Sequence, residues 1–384
     1  MTKIKNIEKA AERIKKAVQN KERIILYGDS DLDGISSVVI LEEAIKNLGG
    51  EIFCAYFPDR EKNGYGINIH ALELLKDKAP ALFITLDLGI GNVKEVDMAN
   101  EMGFEVMIID HHETLFGIPN ASIIVNPKQP LDPYPFKGLA NVGVTYNLCL
   151  ELLGDNISEN LKNSFAELTA LGTIADMVPR AEQNVEIIER GLSSLQNSFR
   201  PGIRAFFDIF SSDKNYAAEE TLIQKIISAL NAAESVDFEN ESYRLLTSSA
   251  PDECCELAQA LLNKNFNKQQ QIKNIVREIE RRVAKNPDEA IIFEGDPSWH
   301  LILAGSVASI ISSKYEKPAF VFKKMDKESC GSVRNPKGTN SVEAMKTCDE
   351  FLITYGGHAQ ASGFRVKNQN LEKFRECLND YFSK

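Results

Sequence analysis

Short apolar segments that alternate with helical segments narrow the fold of this chain more than any other feature. Five such segments are predicted as strands: Arg23–Tyr27, Glu51–Phe57, Leu82–Leu86, Glu105–Ile109 and Ser122–Val125. Helices are predicted between them, near Ile35–Asn47 and Val93–Met102. Strands that are apolar on both faces and alternate with helices indicate a parallel sheet covered on both sides. Such a sheet binds ligands beyond the carboxyl ends of its strands, where the strand order switches.

The rest of the chain suggests further parts, since 384 residues exceed what one core usually serves. From about Gly138 to Glu280 the pattern is helical, and Asn263–Lys285 is expected to form a long exposed helix. Strands are predicted again at Ala290–Phe293, Leu301–Leu303 and Ala319–Phe322. We therefore predict an α/β protein with an N-terminal parallel-sheet domain over residues 1–200, a helical connector over 201–286 and a smaller α/β domain over 287–384.

Acidic and imidazole side chains follow the predicted strands directly. They are Asp29, Asp31 and Asp33 after the first strand, Asp87 after the third, and Asp110, His111 and His112 after the fourth. Asp176 follows the apolar run Leu168–Ile174 and adds a further carboxylate. Carboxylates crowded at one edge of a sheet repel one another, and a divalent cation removes that repulsion. Several carboxylates with imidazole suit Mn²⁺ or Mg²⁺ better than a structural zinc ion.

The segment Asp29–Gly34 by itself allows two simpler interpretations. The pattern also opens a calcium-binding EF-hand loop, but that loop requires Glu at its twelfth position and a preceding helix. Here Ile40 holds the twelfth position and a strand precedes. A solvated acidic turn accounts for this segment alone, but it leaves Asp87, His111 and Asp176 unexplained.

A glycine-rich segment near the end of the chain is a second candidate site. Gly356 and Gly357 precede His358, and two glycines allow backbone N–H groups to approach an anion closely. Ser332 and Arg334 offer further contacts to a phosphate. The alternative is a glycine-rich helix C-cap with an incidental histidine.

Charge and cysteine content restrict the function only weakly. The net charge of −11 neither supports nor excludes a nucleic-acid substrate, because a local basic groove can still bind a polyanion. The seven cysteines are an odd number without Cys-x-x-Cys spacing, so reduced thiols are expected. The sequence shows no apolar run of signal-peptide or membrane-span length, which predicts a cytoplasmic protein without membrane contact.

The ordered set of motifs resembles the DHH phosphoesterase superfamily, and most closely its RecJ-like exonucleases. Asp110-His111-His112 matches the motif that gives the superfamily its name, and Gly356-Gly357-His358 resembles the signature of the DHH-associated C-terminal domain. Further matching stretches are Gly28–Gly34, Gly64–Ile67, Asp87–Ile90, Asn126–Pro130 with Pro135-Phe136, and Gly172–Pro179. The resemblance runs from about Arg23 to Gly363.

The resemblance implies a metal-dependent phosphodiesterase, a 5′-to-3′ exonuclease on single-stranded DNA, with two divalent metals and a bridging water that attacks phosphorus in line. It implies that Asp29 and Asp87 bind one metal, and that Asp31, Asp87, His111 and Asp176 bind the other. These metals would lie in the cleft between the DHH catalytic domain and the C-terminal domain.

The resemblance also assigns the remaining side chains. His112 would stabilise the developing phosphorane charge, and Asp33 and Asp110 would orient the ligands. Substrate phosphate would be bound by Ser332, Arg334, Gly356, Gly357 and His358. Single-stranded DNA is the favoured partner, with RNA as an alternative, and a replication or repair protein is a further possible partner.

Departures from the RecJ pattern keep other functions open. The family's Asn-Ala-Ala-Gly-Arg stretch ends here in Glu234-Ser235, so a basic residue is lost, and its Ser-Gly-Arg-Ser stretch is Ser332–Asn335. We also expect no additional oligonucleotide-binding domain after the glycine-rich segment. One alternative is a phosphoesterase for short oligonucleotides, cyclic dinucleotides or a nucleoside bisphosphate. The other is a non-catalytic, replication-associated scaffold, against which the intact acids argue.

Overall fold

The chain was analysed as a computed structural model, which describes residues 2–60, 64–114, 117–211, 219–285 and 289–383. It divides into two compact units, Met1–Asn265 and Phe266–Lys384. The boundary predicted between residues 286 and 287 lies outside the described residues, and the three-part division stays a prediction. Within the described ranges, no helix has both the length and the apolar character that crossing a membrane requires.

A five-stranded parallel sheet forms the centre of the first unit. Its strands are β1 (Ile24–Gly28), β2 (Cys54–Tyr56), β3 (Ala81–Leu86), β4 (Phe104–Ile109) and β5 (Ile123–Val125). Their order is β2-β1-β3-β4-β5, and every neighbouring pair is parallel. The chain therefore turns to one side of β1 first and to the other side afterwards. This places the switch in strand order between β1 and β3, where ligands bind in open α/β sheets.

Helices surround this sheet in the first unit, and the last of them continues into the second unit. They are α1 (Ile7–Gln19), α2 (Leu32–Asn47), α3 (Ile69–Leu75), α4 (Val93–Glu101), α5 (Asn141–Leu153), α6 (Glu159–Ala175), α7 (Gln183–Leu195), α8 (Pro201–Ser211), α9 (Glu219–Leu230), α10 (Glu241–Thr247) and α11 (Pro251–Val283). A short hairpin, β6 (Ser235–Val236) and β7 (Glu239–Asn240), precedes α10. The long helix predicted over Asn263–Lys285 corresponds to the second half of α11.

The uninterrupted apolar character of the strands follows from burial on both sides. Along β1, Leu26 packs into one core cluster, while Ile25 and Tyr27 pack into the cluster on the opposite face. Ile84 and Phe83 divide in the same way along β3. Because successive strand residues point to opposite faces, a sheet with two cores needs apolar residues at every position.

The second unit is a mixed α/β structure. Its elements are β8 (Ile292–Asp296), α12 (Leu301–Tyr315), β9 (Ala319–Lys324), β10 (Glu328–Arg334), α13 (Ser341–Thr347), β11 (Leu352–His358), β12 (Ala361–Lys367) and α14 (Leu371–Phe382). The strand order is β11-β12-β10-β9-β8, with β8 and β9 parallel and the other pairs antiparallel. Short 3₁₀ helices occur at Lys76–Lys78, Gly154–Asn156, Asp349–Phe351 and Asn368–Asn370.

The strand predicted at Leu301–Leu303 is wrong, because these residues begin helix α12. A three-residue apolar run does not distinguish a strand from a buried helix. The residues that follow decide the outcome, since the buried positions of α12 recur at helical spacing: Leu303, Ala304, Val307, Ala308 and Ile311.

The expectation of reduced thiols is wrong for two of the seven cysteines. Cys348 and Cys377 form a disulfide that joins the segment after α13 to helix α14. Their separation of 29 residues carries no spacing signal, so only the packing of α14 reveals the pair.

Candidate metal centre

Backbone hydrogen bonds hold three acids side by side at the carboxyl edge of the parallel sheet. Each acid follows the last residue of its strand, and its N–H continues the ladder to the neighbouring strand. The donors and acceptors are Asp29 to Leu86 (3.1 Å), Asp87 to Ile109 (3.1 Å) and Asp110 to Val125 (3.1 Å). The alternation of strands and acids in the sequence thus becomes a row of carboxyl groups at the strand switch point.

His111 and four acids converge beside this row. The Nε2 atom of His111 lies 3.3 Å from Oδ1 of Asp87 and 3.6 Å from Oδ2 of Asp176. Ligand atoms lie within 4.8 Å of one another in three groups, Asp29 with Asp31 and Asp87, Asp87 with His111 and His112, and Asp33 with His111 and Asp176, so Asp87 belongs to two of them. The structure therefore brings together the five residues that the sequence proposed as metal ligands.

The loop between β1 and α2 fixes two of these acids. Asp31 is the N-cap of α2, where its carboxylate accepts the N–H of Gly34 at 3.1 Å. A side chain at Gly34 would place its Cβ 2.5 Å from the carbonyl oxygen of Asp29, so only glycine allows this close turn. The side chain of Asn231 accepts the N–H of Leu32 at 2.9 Å and secures the same helix start from a distant segment.

The donor set fits a divalent cation. Oδ1 of Asp87, Nε2 of His111 and Oδ2 of Asp176 are buried and have no hydrogen-bond partner among the described residues. The other ring nitrogen of His111 lies 3.0 Å from the carbonyl oxygen of Leu139, which makes Nδ1 the protonated atom and leaves a lone pair on Nε2. Buried polar atoms ordinarily have partners, so three unpaired atoms that face one another indicate a bound cation.

The electrostatics of the cluster favour the same conclusion. Burial, followed by repulsion from Asp33, raises the pKa of Asp87 well above its ordinary value. Burial and the charge of Asp31 raise the pKa of Asp176 to about 7. Burial lowers the pKa of His111 to about 3, so its imidazole is neutral and suited to bind a metal. A divalent cation relieves the repulsion that these shifts report.

Two further acids use their oxygens to fix the backbone. The carboxylate of Asp33 accepts the N–H groups of Asn141 (2.8 Å) and Val142 (2.6 Å), which begin helix α5. The carboxylate of Asp110 accepts the N–H groups of His111 (2.7 Å) and Ile90 (3.0 Å). Oδ2 of Asp33 still lies 3.9 Å from Nε2 of His111, so Asp33 borders the cluster, whereas Asp110 orients the histidines.

His112 lies at the edge of the cluster and is held on two sides. Its Nδ1 atom lies 2.8 Å from Oδ1 of Asp110. Burial alone lowers the pKa of His112, but Asp110 outweighs that effect and the net pKa is raised. Tyr65 packs edge-on against the ring at 5.7 Å, and its hydroxyl donates to the backbone oxygen of Asp87 at 2.9 Å. Tyr65 lay in a matching motif, but the sequence assigned it no role.

Arg60 was missed by the sequence reasoning. Four residues after β2, its guanidinium donates to Oδ1 of Asp29 at 2.7 Å and to Oδ2 of Asp31 at 2.9 Å. A second Nη2 contact reaches the other oxygen of Asp29. A cation next to clustered acids is a detectable signal, but nothing in the spacing indicates that the segment after β2 folds back over the loop after β1. A metal that binds Asp29 and Asp31 competes with this guanidinium.

Arg60→Gln is expected to destabilise the protein in excess chelator and to increase the stabilisation that Mn²⁺ produces. Removing one partner of a largely buried pair costs several kcal/mol, and the partial exposure of Arg60 reduces this to about 1–3 kcal/mol. Urea unfolding with chelator and with Mn²⁺ measures both effects. The control is Arg244→Gln, which removes an exposed pair with Glu253 at 2.8 Å. An equal Mn²⁺ response in the two variants would contradict the competition.

The second candidate group lies on adjacent strands of the second unit. Ser332 on β10, Gly363 on β12 and Gly356 on β11 are register partners, and Arg334 pairs across Ala361 with His358. The side chain of His358 lies outside the described part of the chain. Gly356 and Gly357 are strand residues, so the helix C-cap interpretation is wrong.

Arg334 has an environment suited to an anion. Among the residues that the structure describes, no carboxylate pairs with it, and its Nη1 donates only to the neighbouring backbone oxygen of Val333 at 2.9 Å. Burial lowers the pKa of the guanidinium. A Cβ at Gly305 of α12 would lie 3.2 Å from Nη2 of Arg334 and 3.6 Å from Oγ of Ser332, so glycine leaves space beside both groups.

Comparison with known proteins identifies the class. Residues 23–173 match the DHH family, N-terminal domain, and residues 288–384 match the DHHA1 domain. The chain is 34% identical over 381 residues to the single-stranded-DNA-specific exonuclease RecJ of Bacillus subtilis, covering 98% of this chain and 48% of that protein. It is 30% identical to RecJ of Salmonella typhimurium, covering 98% of this chain and 69% of that protein.

Solved structures agree with this assignment. Exonuclease RecJ bound to manganese superposes with a TM-score of 0.82 at 26% identity, covering 99% of this chain and 95% of that chain. RecJ in complex with Mn²⁺ from Thermus thermophilus gives 0.84 at 25% identity, covering 99% and 55%. The fold and the acid cluster thus define a DHH-superfamily protein with a DHHA1 domain. Within that superfamily the chain belongs to the RecJ family, although it spans about half the length of the Bacillus subtilis relative.

Proposed function

We propose that this protein is a metal-dependent phosphodiesterase that removes nucleotides from the 5′ end of single-stranded DNA. The observation that carries the proposal is the intact cluster of Asp29, Asp31, Asp87, His111 and Asp176 at the strand switch point, in a chain similar to RecJ along its length. The Mn²⁺ and Mg²⁺ complexes of RecJ relatives support divalent metal cofactors. We favour Mn²⁺ over Mg²⁺, and this preference stays a prediction.

The cluster offers ligands for two cations. Asp29 and Asp87 would hold one, and Asp31, Asp87, His111 and Asp176 would hold the other, with Asp87 shared. Bound there, the cations supply the Lewis acidity that activates water and neutralises phosphate charge. Asp33 and Asp110 keep the ligands in place through their bonds to backbone N–H groups.

Other side chains of the protein bind and orient the substrate. His112, fixed by Asp110 and Tyr65, donates a hydrogen bond to the phosphate oxygen on which negative charge develops. In the second unit, Arg334, Ser332 and the backbone N–H groups of Gly356 and Gly357 bind a substrate phosphate, because a guanidinium that pairs with no described carboxylate lies in the same sheet as the open backbone at Gly356. We extend this role to His358. A cytoplasmic location and a replication or repair partner stay predictions.

Digestion of end-labelled oligonucleotides of increasing length tests the function. We expect rates to rise from dinucleotides to strands of several tens of nucleotides, the 5′ label to be released first, and a duplex to resist because unpairing costs free energy at each step. With a net charge of −11, binding should depend only weakly on salt.

The alternative function, a phosphoesterase for short substrates, predicts a different result in the same length series. Glu234 and Ser235 stand where the RecJ pattern has a basic residue, and Oγ of Ser235 lies 3.3 Å from Oγ of Ser30 in the loop between two cluster acids. This segment therefore offers no cation to a longer DNA backbone. Rates that are highest on dinucleotides would replace the exonuclease with a phosphoesterase for short substrates. Digestion of RNA with the same sequence, compared with DNA, tests whether the protein prefers deoxyribose or ribose substrates.

A further inference from the structure

Met177 stands directly after Asp176 and combines two unfavourable features. Its backbone φ is +58°, in the left-handed region that residues other than glycine and asparagine rarely adopt. Its side chain is 88% exposed, so the thioether gains nothing from burial. Neither feature contributes to the stability of the folded chain.

The end of helix α6 explains the conformation but not the residue. The N–H of Asp176 donates to Gly172 at 2.9 Å, and the N–H of Met177 donates to Ile174 at 3.4 Å. The residue that follows a helix in this geometry is most often glycine, because it has no Cβ to strain. What distinguishes Met177 from other exposed residues in this conformation is its position directly after Asp176, whose Oδ2 lies 3.6 Å from Nε2 of His111.

The surrounding backbone holds Met177 in place. The carbonyl oxygen of Pro179, two residues further on, accepts the side-chain N–H of Asn184 at 2.9 Å. Asn184 is fully buried and also donates to the carbonyl oxygen of Gly138 at 2.7 Å. The exposed side chain thus projects from a fixed bend.

The bend lies at the rim of the acid cluster. Oδ2 of Asp176 is 3.6 Å from Nε2 of His111, and adjacent Cα atoms are about 3.8 Å apart. Met177 is therefore the chain neighbour of a cluster carboxylate, and its side chain is exposed to solvent there. A flexible thioether makes favourable contacts with aromatic rings and adapts to their position.

We propose that Met177 packs against the nucleobase next to the scissile phosphate and selects substrates that carry a base there, without distinguishing which base. This rests on the proposed function. Met177 acts as a specificity-determining residue that aligns the nucleotide, and it takes no part in bond cleavage. Contacts between sulfur and an aromatic ring have a usual strength that corresponds to about a two- to tenfold change in KM.

Met177→Gly is the direct test, with Leu131→Gly as the matched control. Leu131 is likewise apolar, 93% exposed and left-handed (φ +61°), but it lies in the loop whose Asp132 binds the start of the chain at Lys5. Both changes relieve strain and remove an exposed side chain, so neither should lower Tm. We expect Met177→Gly to raise KM about two- to tenfold with little change in kcat. Met177→Leu should return KM most of the way to the wild-type value. Leu131→Gly should change neither KM nor kcat.

An abasic substrate separates base packing from a general disturbance. If the nucleotide at the scissile phosphate lacks its base, wild type and Met177→Gly should have equal KM. A persistent difference on the abasic strand, or an unchanged KM on the normal strand, would overturn the inference.

Binding distinguishes this inference from the proposed function. Fluorescence anisotropy of a labelled strand is measured in an Asp87→Asn background, with and without Met177→Gly. Weaker binding by the double variant supports the inference, whether or not the wild type hydrolyses the strand. A wild type that hydrolyses no strand would contradict the proposed function but not the inference. Equal binding overturns the inference while normal hydrolysis would leave the function intact.

Discussion

Asp87→Asn is expected to lower the rate of phosphodiester hydrolysis by about a thousandfold, equivalent to roughly 4 kcal/mol of transition-state stabilisation. Asp87 belongs to two of the three described ligand groups, so its loss affects both proposed cation sites. No other acid in the described cluster is shared in this way. A near-normal rate in this variant would show that Asp87 does not bridge the groups.

The same substitution should leave the protein folded and somewhat more stable. Burial and repulsion by Asp33 raise the pKa of Asp87, which means that its negative charge destabilises the folded state at neutral pH. Asparagine removes that charge and tolerates the left-handed backbone of this position, where φ is +65°. We expect a gain of about 1 kcal/mol in the free energy of unfolding, measured with chelator present.

Asp132→Asn is the matched control and should show the opposite pattern. Oδ2 of Asp132 accepts the N–H of Lys5 at 2.8 Å, and its Oδ1 accepts the N–H of Tyr134 at 2.8 Å. It belongs to none of the described metal-binding groups. Its neutralisation should lower stability by about 1–2 kcal/mol and keep the rate, because charged hydrogen bonds are stronger than neutral ones.

Chelation is expected to abolish hydrolysis, and added Mn²⁺ to restore it. Among the described residues, no Lys or Arg side chain pairs with the buried, converging atoms of Asp87, His111 and Asp176, so metal binding should also stabilise the fold. At a hundredfold excess over Kd, the gain is about 2.7 kcal/mol, or a Tm rise of roughly 3–5 °C for a chain of this size. Asp87→Asn should lose most of this rise. Full turnover in excess chelator would refute metal dependence.

The response to Mn²⁺ should also depend on pH. The pKa of Asp176 is raised from 3.8 to about 7, so between these values the folded protein binds more protons than the unfolded chain. Stability with chelator therefore falls as pH rises through this window. A metal displaces the protons, so its affinity rises over the same range. The Mn²⁺-induced Tm rise should be larger at about pH 8 than at about pH 6.

Local pattern in the sequence was sufficient for the parallel sheet and for most of the cluster. Strand segments that are apolar at every position require cover on both faces, and residues after parallel strands share one edge. Asp29, Asp87 and Asp110 therefore had to lie side by side once the strands were recognised. The strand order of the folded sheet then shows that β1 and β3 are neighbours.

The structure decided how each acid is used. Asp87 and Asp176 have unpaired oxygens near His111, whereas the oxygens of Asp110 accept hydrogen bonds from backbone N–H groups. These outcomes depend on side-chain directions and on partners far away in sequence, such as Asn141 for Asp33, 108 residues away. Spacing along the chain contains no information about them.

Contacts between distant segments account for what the sequence did not predict. Arg60 reaches Asp29 across 31 residues, and Cys377 reaches Cys348 across 29. The run Leu301–Leu303 became a helix because its continuation buries one helical face against β9 and β10. The sequence by itself determined the layers, the sheet edge and the residue types at the centre, because these follow from periodicity and burial. Pairing partners and the exposed, strained Met177 were decided by tertiary structure, because only folding brings chemically compatible groups within bonding distance.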